Sequence, residues 1–517
     1  MAPASIVIVN TPSRRTPGRT AGLQPDPPAL PRVRVPAFAG PVVLLIAALV
    51  AVTHLAVAAA GGLWFDEAYM LAIARHRLAW GSADQPPVTM AVAALMDAVA
   101  PGSVLALRLP AVLATTGAVV LAALVARELG GDRRAQAMTA AVQATLPWSA
   151  VAGHWLTPYT LEPVQWLALL WLVVRWLRTR DDRLLLVAGA VAGTGAQTKF
   201  QILLLCAVLL GTVLVCGPRQ LLRRPLLWVG VGIGGVIALP TLLWQSLHGW
   251  PQLRMGAVVA AESAAYGGRP GTAMITVVMA GVAGIWLALY GAWRLLAGGA
   301  RVAEYRFLAV TAVVLYAFFV ATAGRPYYLG GLYGLLAAAG AVGLQRRREA
   351  GHVRRRWVVW PAFALSAAVA GGFVAVGHAA AVESDAIGAG IAHRTAAAYH
   401  ALPAAQRERI AVLGQSYITA AYLDVHGSRH GLPPVFSTSR GYGYFPPPSE
   451  DRDAVLYVGD PAELRPYFAE LHQIAAGGPD PREQGVWLGT GRSTPWDVIW
   501  PRLRHLDVAG SDTPLGG

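Results

Sequence analysis

Apolar blocks of about 18–24 residues recur along this chain between residues 38 and 379, joined by short polar connections. A block of that length crosses the hydrocarbon core of a bilayer as a helix. Only 14% of the residues are charged and 55% are hydrophobic, whereas a soluble domain carries about a quarter charged residues. The 517-residue chain therefore reads as a polytopic α-helical membrane protein. About eleven spans are expected, at roughly 38–60, 105–126, 135–152, 161–177, 184–198, 200–216, 226–245, 272–294, 306–323, 327–345 and 357–379.

The net charge of +14 is unevenly placed. Residues 1–380 carry 31 basic and 13 acidic side chains, and residues 381–517 carry 11 and 15. In a membrane protein such basic excess marks cytoplasmic loops rather than nucleic-acid binding. With the N-terminus inside, nineteen arginines fall in inner loops, including Arg175, Arg178, Arg180 and Arg183 and the cluster Arg346, Arg347, Arg348, Arg354, Arg355 and Arg356. Five more lie in the tail. The outer loops hold only Arg75, Arg77, Arg108, Lys199, Arg254, Arg269 and Arg325. The expected division is a disordered cytoplasmic tail over 1–37, a membrane domain over 38–380 with its first outer loop at 61–104, and an extracytoplasmic domain over 381–517. A multi-pass protein of the plasma membrane follows.

Residues 381–517 read as a small α/β domain. "RIAVLG" (409–414), "AVLYVGD" (454–460) and "GVWLGTG" (485–491) are expected strands, and residues 416–427 and 461–474 expected helices. Gly414 and Gly459 end strands, where a ligand site is compatible but ordinary turn glycines suffice. Cys206 and Cys216 share one apolar run, ten residues apart on different helix faces, and read as buried thiols without a disulfide.

The polar clusters fall on one side of the membrane. The first outer loop opens with "WFDEAYMLAIARHRLAW", whose apolar spacing fits an amphipathic surface helix. Asp66 and Glu67 stand at its start, where either chemistry or favourable interaction with a helix N-terminus accounts for acids. Asp84 and Gln85 precede two prolines at the end of the loop. The other outer loops add His154, Tyr159 and Glu162; Lys199; Gln245, His248 and Arg254; and Arg325, Tyr327 and Tyr328. Lys199 is the single lysine beside forty-one arginines, and a compact ammonium is not interchangeable with a guanidinium. Carboxylates, cations and aromatics on one face suit a site that binds a phosphate head group and activates a hydroxyl.

Several stretches carry a family resemblance: "LWFDEAYMLAIARHRLAWGSADQPPV", "ALRLPAVLATTGAVVLAALVARELGG", "TKF", "LPTLLWQSLHGWP" and "GRPYYLGGLYGLLAAAGAVGL". Over about residues 40–345 the chain resembles bacterial polyprenyl-phosphate-sugar-dependent glycosyltransferases of the GT-C superfamily. These are relatives of the protein O-mannosyltransferases and the lipid A aminoarabinose transferases. "GLPPVFSTSRGYGYF" and "WPRLRHL" are similar to the tails of bacterial members.

The resemblance implies a GT-C fold, a polyprenyl-phosphate sugar donor in the membrane, and inverting transfer to an envelope glycan, lipid or protein. It makes Asp66 the catalytic base, with Glu67 supporting it or orienting the loop, and puts Lys199 and Arg325 at the donor phosphate. It leaves Asp84, Gln85, Tyr159, Glu162, Gln245, His248, Tyr327 and Tyr328 as substrate-binding candidates. No metal is obligatory, although some members bind a divalent cation. Gln85 departs from the His or Lys of relatives, Tyr159 from an Asp, and Arg325 from a Lys; Glu162 stands one helical turn beyond Tyr159. A transporter or flippase of lipid-linked sugars, or a sensor, is the alternative class. The chain shows no internal repeat of the kind transporters use, and apart from Asp97, which fits a loop or re-entrant piece as well, no ionisable residue falls at mid-span.

Overall fold

In hydrocarbon every backbone N–H and C=O must be satisfied within the spanning segment, so apolar blocks of this length become helices. The computed structural model describes residues 35–351 and 359–508. Nearly all of the expected 1–37 tail, together with Arg354, Arg355 and Arg356, lies outside the described residues.

Helix α1 (Gly40–Ala59) leads into the first outer loop, which holds α2 (Phe65–His76) and α3 (Val88–Val99). Next come α4 (Val104–Glu128), α5 (Arg133–Ala144), α6 (Pro147–Ala152), α7 (Pro158–Thr179), α8 (Arg183–Ala196) and α9 (Gln201–Cys216). The membrane part continues with α10 (Pro225–Leu247), α11 (Pro251–Glu262), α12 (Gly268–Val278), α13 (Val282–Ala297), α14 (Ala300–Ala303), α15 (Arg306–Ala321), α16 (Gly330–Glu349) and α17 (Val359–Ala401). Among the described residues, five helices are long and apolar enough to cross a membrane singly, or six if the bent α12–α13 pair is one span.

The departures from eleven regular spans have local causes. The run 135–152 divides at Pro147, which lacks an N–H and starts α6 instead of continuing α5. The run 272–294 bends by 96° between α12 and α13. Gly281 makes that turn with φ of 75°, a conformation glycine adopts without a Cβ penalty. Asp97 lies in the short α3 and pairs with Arg75 in the same loop, its oxygens 2.7 and 2.8 Å from the guanidinium nitrogens. The helix of the last expected span continues past residue 379: α17 runs on to Ala401, so the expected boundary at 381 falls inside a helix.

Small residues set a close contact between α8 and α10. A Cβ on Gly189 of α8 would meet Gly230 O at 2.0 Å, and one on Gly193 would meet Gly234 O at 2.8 Å. Such glycine seams let membrane helices approach backbone to backbone. This seam fixes the end of α8, from which Lys199 emerges. Gln197 donates to Ile237 O at 2.5 Å and accepts through its own carbonyl from Val88 N at 2.9 Å.

Beyond α17 lies a five-stranded sheet of β1 (Ile410–Gly414), β2 (Val435–Phe436), β3 (Ala454–Val458), β4 (Phe468–Ala475) and β5 (Val486–Arg492), in the order β2-β1-β3-β5-β4. β1 is parallel to β2 and β3; β5 is antiparallel to β3 and β4. The domain also contains α18 (Ala404–Glu408), α19 (Tyr417–Gly427) and α20 (Trp496–Leu503). β1 and β3 are buried on both faces, with alternate residues facing α19 and the α20 tryptophans. The residues expected as a helix over 461–474 instead form a short turn and β4. Pro466 has no N–H with which to continue the turn as a helix, and pairing with β5 supplies the backbone partners of β4. Gly414 and Gly459 are close-packing positions, where a Cβ would come within 2.6 Å of Ala420 N and 2.4 Å of Gln415 Cβ.

From Val35 onward the chain is one compact unit. One apolar core joins α2, α3, the outer half of α17, α19 and the strands, so the sheet domain is seated directly on the first outer loop.

Candidate active site

A cavity of about 170 Å³ lies between one end of the helical bundle and the sheet domain. Its acids are Asp66, Asp84 and Glu262, and its cations are Lys199, Arg325 and Arg440.

Asp66 sits in the first turn of α2, where a helix N-terminus favours negative charge. Tyr159 OH donates to Asp66 Oδ2 at 3.2 Å, so the tyrosine that departs from the family pattern contacts the expected base directly. Burial raises the Asp66 pKa to about 6, against the opposing pull of Arg440 and the Tyr159 hydrogen bond.

Glu67 does not face the cavity. Successive helical residues point about 100° apart, so the side chain turns inward. It accepts from Arg108 Nη2 at 2.6 Å and Nε at 3.0 Å, from Leu156 N at 3.0 Å and from Trp64 N at 3.1 Å. Both members of this ion pair are fully buried. Glu67 therefore anchors α2, and Arg108 is a positioning residue that sequence reasoning passed over.

Asp84 lines the cavity from the end of the first outer loop. Its Oδ1 accepts from Tyr69 OH at 3.1 Å and from Ser82 Oγ at 3.0 Å. Burial raises its pKa as well, with Arg440 opposing. Gln85 is beside it on the cavity wall. Gln245 is not: its Nε2 donates to Ser82 O at 2.9 Å, making it a strut beneath the loop. His248 is also outside the cavity, exposed and stacked on Trp244 at 4.0 Å.

Lys199 reaches the cavity between α8 and α9, with Nζ 4.3 Å from the Tyr328 ring centre and 5.2 Å from that of Tyr327. Glu162 stands behind it, with Oε2 3.5 Å from Nζ, and balances the lysine without lining the cavity. Tyr327 stacks on Trp148 at 4.4 Å and meets Tyr159 at 5.3 Å, forming an aromatic wall.

Glu262, Arg440 and Tyr417 complete the cavity and were not expected. Arg325 and Arg440 both pair with Glu262, the second contact being 2.8 Å. Glu262 and Arg440 lie 178 residues apart in sequence, and no local pattern links them. Among the described residues, no three His, Cys, Asp or Glu side chains converge to hold a metal ion.

Residues 84–244 match the family model for dolichyl-phosphate-mannose-protein mannosyltransferase. The fold is similar to that of ArnT from Cupriavidus metallidurans in the apo state, with a TM-score of 0.61 at 16% identity over 87% of this chain and 98% of that one. The chain has an ArnT-like fold. ArnT from Cupriavidus metallidurans bound to undecaprenyl phosphate gives a TM-score of 0.60 at 16% identity, covering 88% of this chain and 99% of the other. An archaeal oligosaccharyltransferase from Archaeoglobus fulgidus, tethered to an acceptor peptide, matches at 13% identity and a TM-score of 0.46, over 76% of this chain and 64% of that one. A search of curated proteins found no match.

Proposed function

We propose that this protein transfers a sugar from a polyprenyl-phosphate carrier to an acceptor hydroxyl on the extracytoplasmic face of the plasma membrane, with inversion. One observation carries the reading: Asp66, Lys199 and Arg325 line a single cavity where the helical bundle meets the sheet domain. The mannosyltransferase family model supports it, as does the likeness to a protein solved with undecaprenyl phosphate.

The isoprenoid chain lies among the membrane helices and presents its phosphate to Lys199 and Arg325. The acceptor oxygen attacks the anomeric carbon on the face opposite the phosphate. As that bond forms, the anomeric carbon–oxygen bond to phosphate breaks, and the acceptor proton passes to Asp66. Charge grows on the departing phosphate, where the two cations stabilise it. Asp84 offers an acceptor to sugar hydroxyls, and the Trp148–Tyr327 wall offers an apolar face. Glu67 and Arg108 hold α2 in place. The acceptor belongs to a glycan, lipid or protein of the cell envelope.

The test is transfer from a panel of labelled polyprenyl-phosphate sugars by purified protein in lipid discs. Wild type should release polyprenyl phosphate, and Asp66→Asn should lower the rate by about 10²-fold or more. Equal rates in the two would remove Asp66 from the chemistry.

A further inference from the structure

Two of the cations on the cavity wall share one carboxylate. Arg325 donates to Glu262 Oε2, and Arg440 Nη2 donates to Oε1 at 2.8 Å. The three side chains are 18%, 11% and 13% exposed for Arg325, Arg440 and Glu262, so two largely buried guanidinium groups share one largely buried carboxylate.

Arg440 comes from the sheet domain and is held on three sides. Its backbone has φ of 46°, a strained region for a residue with a Cβ and one retained at ligand clamps. Its N–H donates to His505 O at 2.8 Å, its Nε donates to Leu506 O at 3.1 Å, and its guanidinium carbon lies 4.5 Å from the Tyr417 ring centre. Glu262 is held more lightly. It ends α11, which buries only Pro251 and Met255.

We propose that Arg440 binds the donor's phosphate together with Arg325, and that Glu262 is a resident carboxylate occupying both guanidinium groups until phosphate displaces it. This rests on the donor reading above. The intact donor is a phosphodiester with one negative charge, about an even exchange for Glu262. The leaving polyprenyl phosphate is a monoester with more charge and one more free oxygen. Two guanidinium forks suit it better than they suit the diester. Glu262 thus makes the pair discriminate, favouring the leaving group over the bound donor, which is the kind of difference that speeds a reaction.

The experiment titrates the full-length protein in lipid discs with a short-chain polyprenyl phosphate and with the matching polyprenol. Arg440→Gln should weaken phosphate binding about 10-fold or more and leave polyprenol binding unchanged. Glu262→Gln removes the competing anion and should tighten phosphate binding about 10-fold. Unchanged phosphate affinity in Arg440→Gln, or unchanged or weaker affinity in Glu262→Gln, overturns the proposal. Should Arg440→Gln fail to fold, Glu262→Gln decides alone. A wild type that binds phosphate and polyprenol equally refutes the donor reading itself, a result distinct from loss of the Arg440 effect alone.

Discussion

At Asp66 two effects oppose each other. Enclosure in the cavity disfavours the charged carboxylate, while Arg440, the Tyr159 hydroxyl and Arg325 favour it, and the balance leaves a pKa of about 6. A base must be ionised to accept a proton, so kcat/KM should rise with pH through about 6 and level off above it. A flat profile between pH 5 and 8 would exclude Asp66 as the base. The raised pKa also means that ionising Asp66 costs the folded state stability above pH 6. Asp66→Asn should therefore lose transfer yet melt slightly higher at pH 8. That Asp66 faces a cavity was legible because an acid beside aromatics at a membrane boundary needs a reason. The different fate of Glu67 was not, since adjacency in sequence conceals the turn of a helix that points one carboxylate to the cavity and the other into protein.

Among the elements, α2 depends most on a single contact. Arg108 bonds Glu67 at both oxygens and donates to Gly61 O and Gly62 O, the two residues that turn the chain from α1 toward α2. Arg108→Leu leaves the Glu67 carboxylate buried without its cation, a loss of about 3–5 kcal/mol. Heat unfolding in detergent should show a large fall in melting temperature, whereas Arg75→Leu, which breaks a partly exposed pair with Asp97, should cost far less. Near-equal losses would contradict this account of α2. Apolar periodicity revealed the helices, and the all-apolar runs of β1 and β3 revealed the sheet interior, because burial on two faces leaves an unmistakable pattern. The edge strand β4 was hidden, since its residues carry helix-like composition and only pairing with β5 makes them extended.

For the whole molecule, activity depends on how the sheet domain seats on the membrane part, which no local pattern encodes. The seam is visible at Gly441, 372 residues from its partner: its N–H donates to Tyr69 OH at 3.2 Å, and the same hydroxyl donates to Asp84. A Cβ at Gly441 would come 2.2 Å from that oxygen. Tyr69 is wholly buried and cannot swing aside, so relief must come from the loop carrying Asp84 or the loop carrying Arg440. Either movement opens the cavity between them. Gly441→Ala should therefore reduce transfer by about 10-fold or more while both halves keep their secondary structure, because a displacement of about 1 Å at a reacting site has that scale of effect. Transfer rate and circular dichroism on the same sample check it. Full activity would mean that the domain tolerates movement at this seam, and that Arg440 reaches the cavity without depending on it.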